Sequence, residues 1–135
     1  KERLESVDIV FVSGGNTFHL LDRFRKSGFD EWLREKLDDR VYVGVSAGSI
    51  VAAPTIAVAD IPPKDRNYAK LTDLTGVGLV NFEVEPHCDE QRFTIIRDYA
   101  QKCSSPVYAI DDQTAISIDG YNIQLVSEGT WKLYE

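Results

Sequence analysis

VYVGVSAGSIV, residues 41–51, opens with β-branched and aromatic residues, closes on small ones, and carries a serine between two glycines. The first half reads as a buried strand. The second half reads as a short helix that Pro54 limits. A join this sharp leaves no room for a side chain on either flank, and Gly44-Val45-Ser46-Ala47-Gly48 accordingly matches the G-x-S-x-G pattern of a nucleophile elbow. The same geometry lifts the Ser46 hydroxyl to the helix N-terminus, where the backbone N–H of Ala47 can stabilise an oxyanion.

Outward from the elbow, strands and helices alternate. Asp8 to Ser13 reads as a second buried strand ending in the tight turn Gly14-Gly15. Asn16 or Thr17 caps a helix with Phe18, Leu20, Leu21 and Phe24 at helical spacing, and Gly28 ends it. Phe29 to Leu37 predicts another helix with Trp32, Leu33 and Leu37 as its apolar face. Residues 55–81, with Pro62-Pro63, predict a long loop of little regular structure, a kind often functional. Phe82 to Pro86 predicts a strand end leading into His87, Asp89 to Cys103 a helix, and Pro106 to Ile110 a strand. Alternating runs at 114–118, 122–126 and 130–134 are separated by Asp119-Gly120 and Ser127-Glu128-Gly129, which are hairpin signals. The expected architecture is α/β: a single domain over 1–135, with a mostly parallel sheet flanked by helices and an antiparallel C-terminal margin.

The charge balance narrows the partners. Fifteen Lys and Arg against 22 Asp and Glu leave a net charge of −7, and a phosphate-backbone partner needs clustered cations. No apolar run approaches the roughly 20 residues that span a bilayer. The first residues, Lys1-Glu2-Arg3-Leu4-Glu5, are charged rather than a leader. Cys88 and Cys103 have no metal-ligand spacing and read as two reduced thiols of a cytoplasmic protein.

A serine needs a base to take its proton, and the chain has two histidines. His19 lies between Phe18 and Leu20 as a half-exposed helical residue. His87 follows Pro86 at a strand end, where α/β proteins place reactive groups. His87 is therefore the expected base. For the acid that orients it, Asp60 gives the order Ser46, Asp60, His87, with Glu83, Glu85, Asp89 and Asp111 as rivals.

Four separated stretches then resemble the peptidase E family in order: Gly14-Gly15-Asn16-Thr17-Phe18 with Leu20-Leu21; Gly44-Val45-Ser46-Ala47-Gly48; Pro54-Thr55-Ile56 leading to Asp60; and Pro86-His87. That family comprises cytosolic serine exopeptidases acting on dipeptides with an N-terminal aspartate. The resemblance implies a class I glutamine amidotransferase-like, flavodoxin-like fold, with serine where those enzymes carry cysteine. It implies Ser46 as nucleophile, His87 as base and Asp60 as third triad member, and it puts the oxyanion hole at Gly15 and Ala47. Asn16, Asp89 and Arg92 are the candidate substrate contacts. Asp89 stands where the family carries an arginine for the acidic substrate, and a carboxylate there repels such a substrate. Relative to the family the chain is short at its N-terminus, which would leave the strand at 8–13 with an open edge; either a further N-terminal portion or a second subunit, making a homodimer, would fill it.

The implied chemistry is acyl transfer on a short peptide, with no metal and no organic cofactor. Two alternatives stay open: a related hydrolase of non-aspartyl or isoaspartyl, cyanophycinase-like specificity, and a non-catalytic binding or assembly module on the same fold.

Overall fold

The computed structural model describes residues 2–37, 39–63 and 65–135. The structure divides into two compact units, Lys1–Asn81 and Phe82–Glu135. Each is described in turn.

In the first unit a single helical turn, α1 (Glu2–Glu5), precedes β1 (Ile9–Val12), α2 (Thr17–Ser27), α3 (Phe29–Lys36), β2 (Val41–Gly44) and α4 (Ala47–Ile50). β1 and β2 pair in parallel, Ile9 opposite Val41 and Val12 opposite Gly44. Of the two expected caps of α2 it is Asn16 that serves, its side chain accepting from the His19 N–H at 2.9 Å. Gly28 closes the helix at φ 70°, a conformation that favours glycine, and α3 starts directly after it. Phe18, Leu21 and Leu33 are fully buried. Each such burial contributes on the order of 2–3 kcal/mol. Phe29 stacks on Trp32 with ring centroids 5.6 Å apart and meets Phe24 edge-on at 4.8 Å.

One expectation for these strands needs correction. β1 and β2 read as buried on both faces, yet Val10 and Val12 alone of β1 are buried. Ile9 and Phe11, with their register partners Val41 and Val43, stand on the opposite face and are exposed, as is Val45. A continuous apolar run does not distinguish a strand covered on both faces from one covered on a single face; only neighbouring elements decide that.

Residues 55–81 hold little regular structure, as the sequence suggests: a 3-10 helix at Ala57–Asp60 and one bridge between Thr55 and Thr75. The return arm is nonetheless pinned. The backbone N–H groups of Ile56, Gly76, Val77 and Leu79 donate to the carbonyls of Leu74, Pro54, Val51 and Ala52, respectively. Gly76 passes so close that a Cβ there would lie 2.1 Å from the Ala53 carbonyl. Arg25 donates to the Asp73 and Thr75 carbonyls at 3.0 and 2.6 Å, holding the arm against α2.

The second unit is a βαβ element with an antiparallel margin. β3 (Glu83–Glu85) and β4 (Val107–Ile110) pair in parallel across α5 (Glu90–Ala100). β5 (Thr114–Asp119) and β6 (Asn122–Ser127) form the expected hairpin, its two-residue turn starting at Gly120 with φ 58°. β7 (Trp131–Tyr134) does not extend that hairpin. It pairs antiparallel with β4, Ile110 opposite Trp131.

Asp111 accounts for the switch. Its carboxylate accepts from the Gln113 N–H at 3.0 Å, the Thr114 hydroxyl at 2.7 Å and the Thr130 N–H at 2.5 Å, binding the exit of β4 to the entry of β7. Gly129 passes beneath it; a Cβ there would lie 2.0 Å from Asp111 Oδ2. These bonds, the Thr130 backbone donor first, hold the carboxyl below the usual carboxylate range. A depressed carboxylate contributes stability at neutral pH that is lost as pH falls through its folded-state value. Urea midpoints should therefore decline in the wild type below about pH 4. Asp111→Asn should be less stable at pH 7 and should lack this part of the acid decline; identical pH profiles for the two proteins would refute the role.

Candidate active site

The elbow adopts the geometry its glycines require. Ser46 sits at φ 56° and ψ −117°, a strained conformation for a residue with a side chain. A Cβ on Gly44 would lie 2.6 Å from the Gly48 carbonyl oxygen, and one on Gly48 would lie 2.2 Å from the Val12 carbonyl oxygen. Both glycines are thus demanded by backbone passing within contact distance. The Val45 N–H donates to Val12 O at 2.9 Å, so β1 continues to steer the chain beyond the end of β2.

The turn after β1 lies beside the serine. A Cβ on Gly14 would come 3.1 Å from Ser46 Cβ, so Gly14-Gly15 and the elbow are neighbours, as an oxyanion hole shared between Gly15 and Ala47 requires. Gly15 has φ 135°, which keeps this turn open to glycine and little else. Asn16 caps α2 and also donates from Nδ2 to the Arg66 carbonyl at 2.8 Å. Asp65 accepts from the Thr17 N–H at 2.7 Å. Two hydrogen bonds thus hold the segment that follows Asp60 against the turn. Asp60 itself is the exposed last residue of its 3-10 helix.

In the second unit His87 stands two residues past the end of β3, after Pro86, exposed and at φ 62°. Among the described residues, only Ser46, Lys70 and His87 have positive φ without being glycine. Two of those three are thus the expected nucleophile and base. Strain of about 1–3 kcal/mol per residue persists where the surroundings over-determine the backbone, commonly at reactive sites. The His87 ring is held by an acid the sequence reading passed over: Nδ1 is hydrogen-bonded to Asp112 Oδ1. The available signal was position, since Asp112 stands just past β4 as His87 stands just past β3. Asp111, the rival next to it in sequence, is instead engaged at the β4–β7 crossing.

The other acids also have structural partners. Glu83 accepts from the Tyr99 hydroxyl at 2.5 Å, and burial pushes its carboxyl above the usual range. Glu85 takes Arg92 Nε at 2.6 Å in a largely buried ion pair. Asp89 caps α5, accepting from the Arg92 N–H at 2.7 Å. Of the residues read from sequence as substrate contacts, Asp89 thus caps the first turn of α5 and Arg92 ties that helix to Glu85 of β3. Both cysteines are free, and burial, with Glu85 nearby, pushes the Cys88 thiol up to about 12. No described helix is long and apolar enough to cross a membrane.

The strand–turn–helix at Ser46 and the glycine turn beside it define an α/β protein of the nucleophile-elbow type. Comparison with known proteins supplies the family. The model of peptidase family S51 matches residues 1–126. An uncharacterized peptidase of Listeria monocytogenes is 32% identical over 127 residues, covering 90% of this chain and 61% of that protein. Peptidase E of Streptomyces coelicolor is 27% identical over 143 residues, covering 98% and 57%. A solved Listeria monocytogenes structure assigned to peptidase E superposes with a TM-score of 0.79 at 28% identity, covering 95% of this chain and 63% of that one. A peptidase from an acI-B1 Actinobacterium, at TM-score 0.63 and 19% identity, shares the fold. The chain belongs to peptidase family S51, and it spans about three-fifths of the length of these curated relatives.

Proposed function

We propose that this chain carries the acyl-transfer chemistry of a serine exopeptidase for short peptides. The observation that carries the reading is Ser46, strained at φ 56° between two glycines that only backbone contact explains. Ser46 Oγ attacks the scissile carbonyl carbon, and His87 Nε2 takes the hydroxyl proton. The N–H groups near Gly15 and Ala47 receive the oxyanion. His87 then returns the proton to the leaving amine, and water releases the acyl group from Ser46 by the same path. An acid on Nδ1 holds the imidazole in the tautomer that leaves Nε2 able to accept. The His87–Asp112 hydrogen bond supports Asp112 in that role, with Asp60 as the alternative drawn from the family resemblance.

A second reading, hydrolysis of non-aspartyl or isoaspartyl peptides, is favoured by one observation. Arg92, the cation nearest to where the family recognises an acidic residue, is committed to Glu85. The free thiols fit a reducing compartment, the cytoplasm. The open apolar face of β1 and β2 supports a homodimer.

The test is a mass-spectrometric screen of a dipeptide and tripeptide library that includes Asp-X, isoaspartyl and neutral members. Wild type should consume a defined subset and Ser46→Ala none, and the subset separates the two specificities. If neither protein cleaves anything, the hydrolase reading fails and the non-catalytic module stands. Light scattering on the same preparation should return twice the chain mass; a single mass removes the dimer.

A further inference from the structure

The two glycines of the elbow flank Ser46 at two residues on either side, and each has its carbonyl oxygen capped by a side-chain hydroxyl. Tyr42 Oη donates to Gly48 O at 2.6 Å, and Ser49 Oγ donates to Gly44 O at 2.8 Å. Neither bond belongs to a strand ladder or a helix. α4 is only four residues long, and in a longer helix Gly48 O would accept from the N–H of residue 52. Here the Ala52 N–H is turned to Ser49 O at 3.3 Å, so Tyr42 reaches from the strand before the elbow to the carbonyl after it. Ser49 makes the reciprocal reach, from the helix after the elbow to the last carbonyl of the strand. The two bonds cross the same junction in opposite directions.

That junction is where Ser46 is strained, and strain persists only while its flanks are fixed. Close packing alone prevents the flanks from approaching further, since Gly44 and Gly48 are already in backbone contact. It does nothing to stop them from parting. The two hydroxyl bonds oppose parting.

We propose that Tyr42 and Ser49 are positioning residues that clamp the strand and helix flanks of the elbow and so hold Ser46 Oγ in its attacking orientation. This rests on the reading of Ser46 as nucleophile. Burial pushes the Tyr42 phenol far above its ordinary range, so it remains a donor at any pH the enzyme meets.

The experiment compares wild type with Tyr42→Phe, Ser49→Ala, Ser49→Thr and Ser46→Ala. The readouts are labelling rate by a fluorophosphonate, kcat and KM on the best peptide of the screen, and Tm. Tyr42→Phe and Ser49→Ala should each lower the labelling rate and kcat by about tenfold, as a small misplacement of a reacting group does. KM and Tm should stay close to wild type, and Ser49→Thr, which keeps the hydroxyl, should recover most of the rate. Wild-type labelling rates in both variants would overturn the clamp. So would losses that follow Tm and are not rescued by threonine, because those mark a merely structural role. Labelling that survives Ser46→Ala, or a wild type inert to the phosphonate and to every peptide, sinks the nucleophile reading itself and the clamp with it.

Discussion

His87→Ala should abolish hydrolysis as thoroughly as Ser46→Ala, lowering kcat by about 10⁴- to 10⁶-fold, because members of such a unit fail together. Its exposed side chain means that little packing is lost, so the fall should come without a fall in Tm. The more informative comparison is between the two acids. In a triad, replacing the orienting aspartate with asparagine leaves the geometry in place but selects the wrong imidazole tautomer, at a cost of about 10⁴ in kcat. The hydrogen bond between His87 Nδ1 and Asp112 predicts that loss for Asp112→Asn. If Asp112 alone orients the ring, Asp60→Asn should change kcat by less than about tenfold. The reverse pattern, with Asp60→Asn inactive and Asp112→Asn near wild type, would return the acid to the position the family resemblance implies. Steady-state kinetics on the four purified variants, each with its Tm, decides.

The second large effect is on stability. Arg92→Ala should destabilise the protein by about 3–5 kcal/mol in urea unfolding, the range for removing one partner of a buried ion pair. Arg92 and Glu85 side chains are 12% and 9% exposed. Truncating the arginine therefore leaves the Glu85 carboxylate under α5 without its guanidinium. Glu83, two residues earlier on β3, has its carboxyl raised by burial even with the Tyr99 hydroxyl donating to it, which shows how poorly this strand tolerates an unsupported carboxylate. Arg92→Ala combined with Glu85→Ala should recover a substantial part of the loss, since the penalty comes from the orphaned charge. If Arg92 instead binds substrate, the single variant will raise KM and leave the urea midpoint where it was.

What the residues disclosed and what they withheld divide along a physical line. The elbow was legible because its pattern is local, a strand that becomes a helix within two residues and brings Gly44 against the Gly48 carbonyl; the clash that keeps Gly48 a glycine comes from the Val12 carbonyl of β1 and belongs to the tertiary structure. The cap at Asn16, the stop at Gly28 and the turn at Gly120 were legible on the same terms, since each is settled by the dihedral angles of one or two residues. Periodicity likewise located α2, α3 and α5 to within a few residues.

Pairings over distance were not legible. A third alternating run after two hairpin runs suggests another hairpin, and only the Asp111 carboxylate gathering Thr130 explains why β7 goes to β4. Which acid meets His87 was equally hidden, because in a chain with 22 acidic residues the partner is chosen by where β4 ends relative to β3. The intramolecular partners of Asp89 and Arg92, the first turn of α5 and Glu85 on β3, are likewise settled only once the helix has packed. The sequence by itself thus determined the strand–turn–helix that presents Ser46, its alternation of elements and its family, all carried by short-range sterics and period. Only the tertiary structure decided which face of β1 and β2 is covered, which strand β7 joins and which carboxylate holds His87, because those depend on groups far apart in sequence, 19 residues for Asp111 and Thr130 and 25 for His87 and Asp112.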